Sequence, residues 1–330
     1  MRAWSGEAEL FKKKVEFLLG ILITSIAMLL DTLSLSSNYR INEGNPEKSY
    51  AVVNEESVLE KNGSLVLIRE TRDPQIFQIN TGRFVAASAV GLAGIFRLEV
   101  YQENAWWRVP ATKFRFVNDS KFVGNFDKLG HIFGAYVISS GVQTAMDWCG
   151  YNPTTAAYIG AATALLEQTY VEMNDGFSVA WGFSPGDEIS NFIGALYPVA
   201  QAHFPELQHF NLKLSYWPSQ QLRTGYVKQA IDDYEGMTIW LSADVHHYLP
   251  QSIRKYWPKF LNLAGGTGVD KFVKNVSVEH EWYFALDINV NELPGDGWFL
   301  RGLKRAFNYI HLPLPAVRIS PHTVTYLFYF

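Results

Sequence analysis

The hydrophobic period of this chain changes once, near Pro205, and that change restricts the fold more than any other feature. Before it, apolar residues recur at helical spacing; after it they alternate. Helices gathered ahead of strands predict an α+β fold, a small bundle of about four helices followed by an antiparallel β-rich half, rather than interleaved β-α-β units.

Helix ends are legible upstream. The small and apolar run "RFVAASAVGLAGIFRLEVY" lies around Arg83 and Arg97 and suits close helix packing, although its charge-free part is short for a membrane span. A second helix is expected from near Asp127 to about Trp148. A third opens at Asn152-Pro153, a cap followed by proline at the first position, and runs to Gly176, at 1.5 Å per residue roughly the thickness of a bilayer core. The fourth opens at Ser184-Pro185-Gly186-Asp187, a capping box, and ends before Pro205, with a kink expected at Pro198.

Downstream, "NLKLSYW", "TIWLSADVHHYL", "EWYFALDINV" and "TVTYLFYF" alternate as strands do. In the third of these, Trp282, Phe284, Leu286, Ile288 and Val290 form one set and Tyr283, Ala285, Asp287 and Asn289 the other. Strands of about ten residues with aromatic ends and a terminal Phe fit an outer-membrane sheet, while a soluble antiparallel sheet fits the same alternation. His246 and His247 would point to opposite faces of a strand, which disfavours a shared metal ion. The glycines of "NLAGGTGVD" read as a strand turn or bend rather than a phosphate cradle.

Four regions follow: an export signal or N-terminal anchor at 1–37, a polar lead-in at 38–81 containing the strand-like "SLVLIRE", a helical domain at 82–205 and a β-rich region at 206–330. Lys12, Lys13 and Lys14 precede "FLLGILITSIAMLL", an apolar run of signal-peptide length, and Ser34 and Ser36 supply a small-x-small cleavage pattern. No cysteine lies there to be acylated. Cys149 is the single cysteine, which excludes an intrachain disulfide framework. A net charge of -4, with 15% aromatic and 18% charged residues, argues against nucleic acid as a partner and toward the cell envelope.

The chemistry is concentrated at helix ends. Asp127 and His131 are four residues apart on one helical face, with Lys128 beside them; Asp127 could orient the imidazole, and Lys128 could meet an anionic group. Glu167 and Asp175 close the third helix, and Asp187 and Asn191, again four apart, open the fourth. In an antiparallel bundle these ends lie at one level, where polar groups satisfy one another instead of each costing several kcal/mol. A shared polar site is therefore expected near one membrane face.

The series "DKLGH…Y", "EQTYVEMNDGFS" and "WGFSPGDEISNFIGA" resembles the uncharacterised bacterial envelope family of YfiM-like periplasmic lipoproteins and is more distantly similar to VanZ-like membrane proteins. The resemblance covers roughly Phe114 to Tyr216, adds Tyr136 to the binding candidates and implies membrane residence without implying a reaction. The expectation is an exported envelope protein, in the outer membrane or a periplasm-facing membrane, that binds a membrane lipid head group or envelope component through Lys128, Tyr136, Asp175, Asp187 and Asn191. An alternative is a hydrolase or transferase acting on a lipid or cell-wall precursor, with His131 as base, Asp127 as its orienting group and Glu167 in the catalytic set. In that case His131, Glu167, Asp175 and Asp187 are candidate ligands for a divalent metal. A second alternative is an outer-membrane structural or assembly component. No nucleophile motif decides among these.

Overall fold

The computed structural model describes residues 56–61, 64–69, 78–108, 111–271, 278–295 and 297–330, so the expected export signal lies outside the described residues. The chain divides into two units, residues 1–75 and 76–330. In the first, β1 (Glu56–Lys61) pairs antiparallel with β2 (Ser64–Arg69), the strand-like piece of the lead-in.

The second unit is α+β, as the change of period predicts. Four helices come first: α1 (Thr81–Ala105), α2 (Phe126–Cys149), α3 (Pro153–Gly176) and α4 (Pro185–His203). Their capped starts are those legible in the sequence: Asn152 accepts from the Thr155 amide and Ser184 from the Asp187 amide. The expected capping box is only half made, because the Ser184 amide turns to Glu172 Oε2 instead of Asp187. Helix α4 continues through buried Pro198 to His203.

Small residues let α2, α3 and α4 approach closely. Ala135, Ala164 and Ala195 meet at the centre, a Cβ on Gly194 would fall on the Ile132 carbonyl, and one on Gly160 would fall on the Ser139 carbonyl. Large apolar side chains lie outside instead: Ile189, Phe192 and Ile193 on α4 are exposed. Helix α1 is long and apolar enough to cross a membrane, with only 11% of its apolar window buried.

Strands β3 (Phe210–Tyr216), β4 (Met237–Ala243), β5 (Leu261–Asp270), β6 (Glu279–Ile288), β7 (Leu314–Ser320) and β8 (Val324–Tyr329) form a six-stranded antiparallel meander in chain order. An amphipathic helix, α5 (Trp298–Phe307), separates β6 from β7. The sheet curls on itself: Leu214 of β3 bridges to Ile310, and Tyr329 Oη of β8 reaches Thr238 Oγ1 of β4 at 2.8 Å.

Its polarity is inverted. Of the two sets on β6, Tyr283, Ala285 and Asp287 face inward, whereas Trp282 and Phe284 are about half exposed, at 55% and 49%. Inside, Asp287 accepts from Lys213 at 2.6 Å and Ser242 at 2.5 Å and pairs with His311 Nδ1 at 3.0 Å; Lys213 and Asp287 are fully buried. The Trp240 ring stacks on His311. Outside, Leu241, Ile319, Leu327 and Phe328 are exposed, and the sheet is covered mainly near Leu214 and Ile239, where Val123, Phe126 and Phe133 pack.

Two expectations are corrected. The glycine-rich stretch is the interior of β5, not a turn: a Cβ on Gly266 would collide with the Trp240 ring, so glycine there makes room for the largest fully buried side chain. His246 and His247 lie in a helical turn, Val245–His247, after β4 ends at Ala243.

Gly194→Ala is expected to destabilise through overpacking, by about 1–3 kcal/mol, seen as a lowered thermal midpoint. Gly130→Ala, with nothing within 4 Å of the added carbon, should leave the midpoint unchanged or raise it. Equal midpoints for the two variants would refute the backbone-contact argument.

Candidate functional site

The site forms where the start of α2, the end of α3 and the start of α4 meet. Helix periodicity carries Asp127 and His131 to one face of α2, and close packing at Gly194 brings α4 within reach. His131 is the hub. Its Nδ1 lies 3.0 Å from Asn191 Oδ1 and 3.9 Å from Glu172 Oε1, while Nε2 lies 3.7 Å from Asp187 and 3.9 Å from Asp127. With Asn191 Oδ1 as acceptor, Nδ1 is the donor and Nε2 faces the two aspartates. Asn191, not Asp127, is therefore the group in hydrogen-bond reach that orients the ring.

Lys128 is not free to greet an anion. Its ammonium lies 2.5 Å from Asp187, 2.8 Å from Asp119 and 3.2 Å from Asp127. Burial alone would lower its pKa, but the bonds to Asp119 and Asp187 outweigh burial and raise it. The same bonds, with one from Ser184, hold the Asp119 carboxyl below its usual range against burial. Asp127 also accepts from Tyr234 Oη at 2.7 Å.

The remaining acids have less compensation. Burial, then the charge of Asp187, pushes Glu172 up to about 9 although a Ser184 amide reaches it. Burial raises Glu167 to about 7 against the Gln102 amide and the His131 charge, and raises Asp175 to about 6 against the Trp107 indole, which donates to it at 2.6 Å. Asp187 is raised to about 6 by burial, opposed first by His131. Glu167 Oε2, Glu172 Oε1 and Asn191 Nδ2 are buried without a hydrogen-bond partner.

The structure thus gathers Asp127, Lys128, His131, Asp187 and Asn191 directly, and Glu167 and Asp175 are close enough to act on His131 through their charge. Tyr136 lies elsewhere: it is buried beside Tyr197 and Tyr309, with its hydroxyl toward Asn211. Sequence reasoning missed Glu172, Asp119, Tyr234 and the two α1 groups Glu99 and Gln102. Glu99 accepts from Tyr170 Oη at 2.8 Å, and Gln102 meets Glu167. Glu172 had a signal, since it lies four residues after Gln168 on the same helical face; Asp119 comes from a loop and Tyr234 from the short turn Tyr234–Gly236, with no periodicity to read.

As possible cation ligands, Asp127, His131 and Asp187 offer atoms within 4.8 Å of one another. Glu167 and Asp175 are outside that trio, and the Lys128 ammonium already sits between its two aspartates.

These raised carboxyl pKa values define a pH dependence. A group whose folded pKa is raised contributes stability fully below its unfolded pKa and loses it as pH rises through the folded value. For Glu172, Glu167, Asp175 and Asp187 that window runs from about pH 4 to 9. The unfolding midpoint is expected to fall across it, and Glu172→Gln, which cannot ionise, should raise the midpoint at pH 9 by at least about 3 °C while changing little below about pH 4. Parallel pH profiles for the variant and the parent would contradict this assignment.

Comparison with known proteins gives one family: a sequence profile described as "Predicted periplasmic lipoprotein (DUF2279)" matches residues 115–201, which hold α2, α3, most of α4 and the site. No curated protein and no solved structure matches the chain. The family match supports an exported cell-envelope protein of an uncharacterised periplasmic family, and it brings no activity with it.

Proposed function

We propose that this chain is a membrane-resident envelope protein that binds an ammonium-bearing lipid head group, such as that of phosphatidylethanolamine, in the acid-rich pocket around His131. The observation that carries the reading is where α1 changes character. Its exposed apolar length, with Val85, Val90 and Phe96, ends at Glu99 and Gln102, which are buried against α3 beside the acid cluster. If the apolar length lies among acyl chains, the cluster sits at head-group depth, flanked by Trp106 and Trp107 as interfacial anchors. The unpartnered oxygens of Glu167 and Glu172 suit a donor, and the Asn191 amide suits an acceptor such as a phosphate oxygen. The exposed apolar face of the sheet supports an outer-membrane placement, and the resemblance to YfiM-like and VanZ-like proteins implies residence in an envelope membrane.

A metal-assisted hydrolase is the second reading, favoured by the Asp127, His131 and Asp187 trio. It requires a cation to displace the Lys128 ammonium. Purified protein that carries no stoichiometric divalent metal and hydrolyses no phospholipid would eliminate it.

The head-group reading is tested with the full chain in detergent and vesicles that differ only in head group. Phosphatidylethanolamine is expected to bind at least about tenfold more tightly than phosphatidylglycerol, and Glu167→Gln or Glu172→Gln to remove that preference. Both variants should stay folded, because glutamine resembles the protonated acid. Equal binding of the two lipids, or a preference untouched by both substitutions, would sink the proposal.

A further inference from the structure

A second constellation lies away from the His131 cluster, between the turn after α4 and the turn after β4. The helical turn Pro205–His209 supplies Glu206 and His209, and the turn Val245–His247 supplies His247. Their ligand-capable atoms all lie within 4.8 Å of one another. We propose that Glu206, His209 and His247 bind a divalent transition-metal ion of the zinc class.

Three features distinguish this group from a chance meeting of surface side chains. First, the His209 and His247 rings are stacked, with centroids 4.1 Å apart and planes 22° apart, so the two turns hold these side chains against each other. Second, His209 Nδ1 is held by Asp244 Oδ2 at 3.2 Å, which leaves Nε2 as the free ligand atom. A carboxylate on the far nitrogen of a metal-binding imidazole fixes its tautomer and strengthens it as a ligand. The Asp244 backbone amide also donates to the His209 carbonyl at 2.8 Å, fastening the two turns together. Third, Glu206 Oε2 accepts from Tyr248 Oη at 3.1 Å, which aims the carboxylate and leaves its other oxygen available. Two ligands therefore have an outer partner that orients them.

Two imidazoles and a carboxylate suit zinc and its neighbours better than magnesium or calcium. Ligand atoms of a tetrahedral zinc site lie about 3.4 Å apart, given bonds of about 2.0–2.1 Å. Glu206 and His247 are both exposed, so their side chains can turn to close the group on an ion. Among the described residues no cationic side chain is paired with the Glu206 carboxylate, in contrast to the Asp127, His131 and Asp187 trio, where Lys128 is in place; the nearby Arg254 guanidinium donates to the His247 carbonyl instead. Because Glu206 and His247 are exposed, a fourth ligand could come from water or a donor on another molecule. Binding would tie the end of the helical bundle to the β4–β5 connection.

Untagged full chain, stripped with chelator and titrated with zinc alone by calorimetry, tests the site. One equivalent is expected to bind at micromolar or lower concentration and to raise the thermal midpoint. His247→Ala, an exposed substitution that should not disturb folding, is expected to abolish this binding, and Asp244→Asn to weaken it by about tenfold. His131→Ala should leave it intact, which separates this site from the head-group pocket. Zinc binding only at millimolar concentration would overturn the proposal, as would binding unchanged by His247→Ala or lost in His131→Ala.

Discussion

The Lys128 ammonium is the interaction on which the helical part of this molecule depends. Asp119 comes from a loop, Asp127 from α2 and Asp187 from α4, and all three carboxyls lie within 3.2 Å of the Lys128 ammonium, which offsets their mutual repulsion, as does the hydrogen bond between Asp119 and Asp187. Lysine supplies a cation from within the chain and links the start of α2 to the start of α4. The glycine at 194 then permits the approach that the charges favour. Electrostatics and packing point the same way at this junction, as expected of a position that specifies a single arrangement.

Polarity elsewhere is distributed against the habit of water-soluble domains. Small and polar side chains lie inside, from Ala135 and Ser139 in the bundle to Lys213 and Asp287 in the sheet, while Phe192, Phe284 and Leu327 lie outside. In water this exterior would be a large aggregation-prone surface. In the lipid setting proposed above it would cost nothing, and the driving force inside would shift to close packing and hydrogen bonds, the features that Gly160, Gly194 and the Asp287 network display. Many of the buried ionisable groups answer one another, as Lys128 with its aspartates and Lys213 with Asp287 do, while burial favours the protonated form of Glu167 and Glu172.

The sequence revealed the helices well and the sheet only in part. Asn152-Pro153 and Ser184-Pro185 are local signals that act before any tertiary contact forms, so these starts are legible within a residue or so. Alternation located β3, β4, β6 and β8, but β7, with Pro315 and Arg318 breaking its pattern, and α5 escaped notice. The glycines of β5 were misleading because their cause is non-local: only the fold shows that the Trp240 ring needs the space above Gly266. In the site, spacing placed Asp127, His131, Asp187 and Asn191 together. It could not show that Asn191 rather than Asp127 holds the imidazole, nor that Tyr136 turns toward Tyr197 and Tyr309 instead.

Charge balance decides which ligand class the pocket favours. Lys128 answers Asp119, Asp127 and Asp187, but on the other side of His131 the carboxyls of Glu167 and Glu172 have no fixed cation and answer burial by holding protons. An anion placed there would meet acids already reluctant to ionise, and would raise their pKa values further. A metal ion in the aspartate trio would first have to displace an ammonium from three partners. A ligand ammonium at Glu167 and Glu172 does neither: it replaces protons with a bound cation, so its affinity should increase as pH rises toward the range in which those protons leave. On the proposed reading, the protons held at Glu167 and Glu172 would favour a cationic group over the phosphate-first recognition that a free lysine would have favoured.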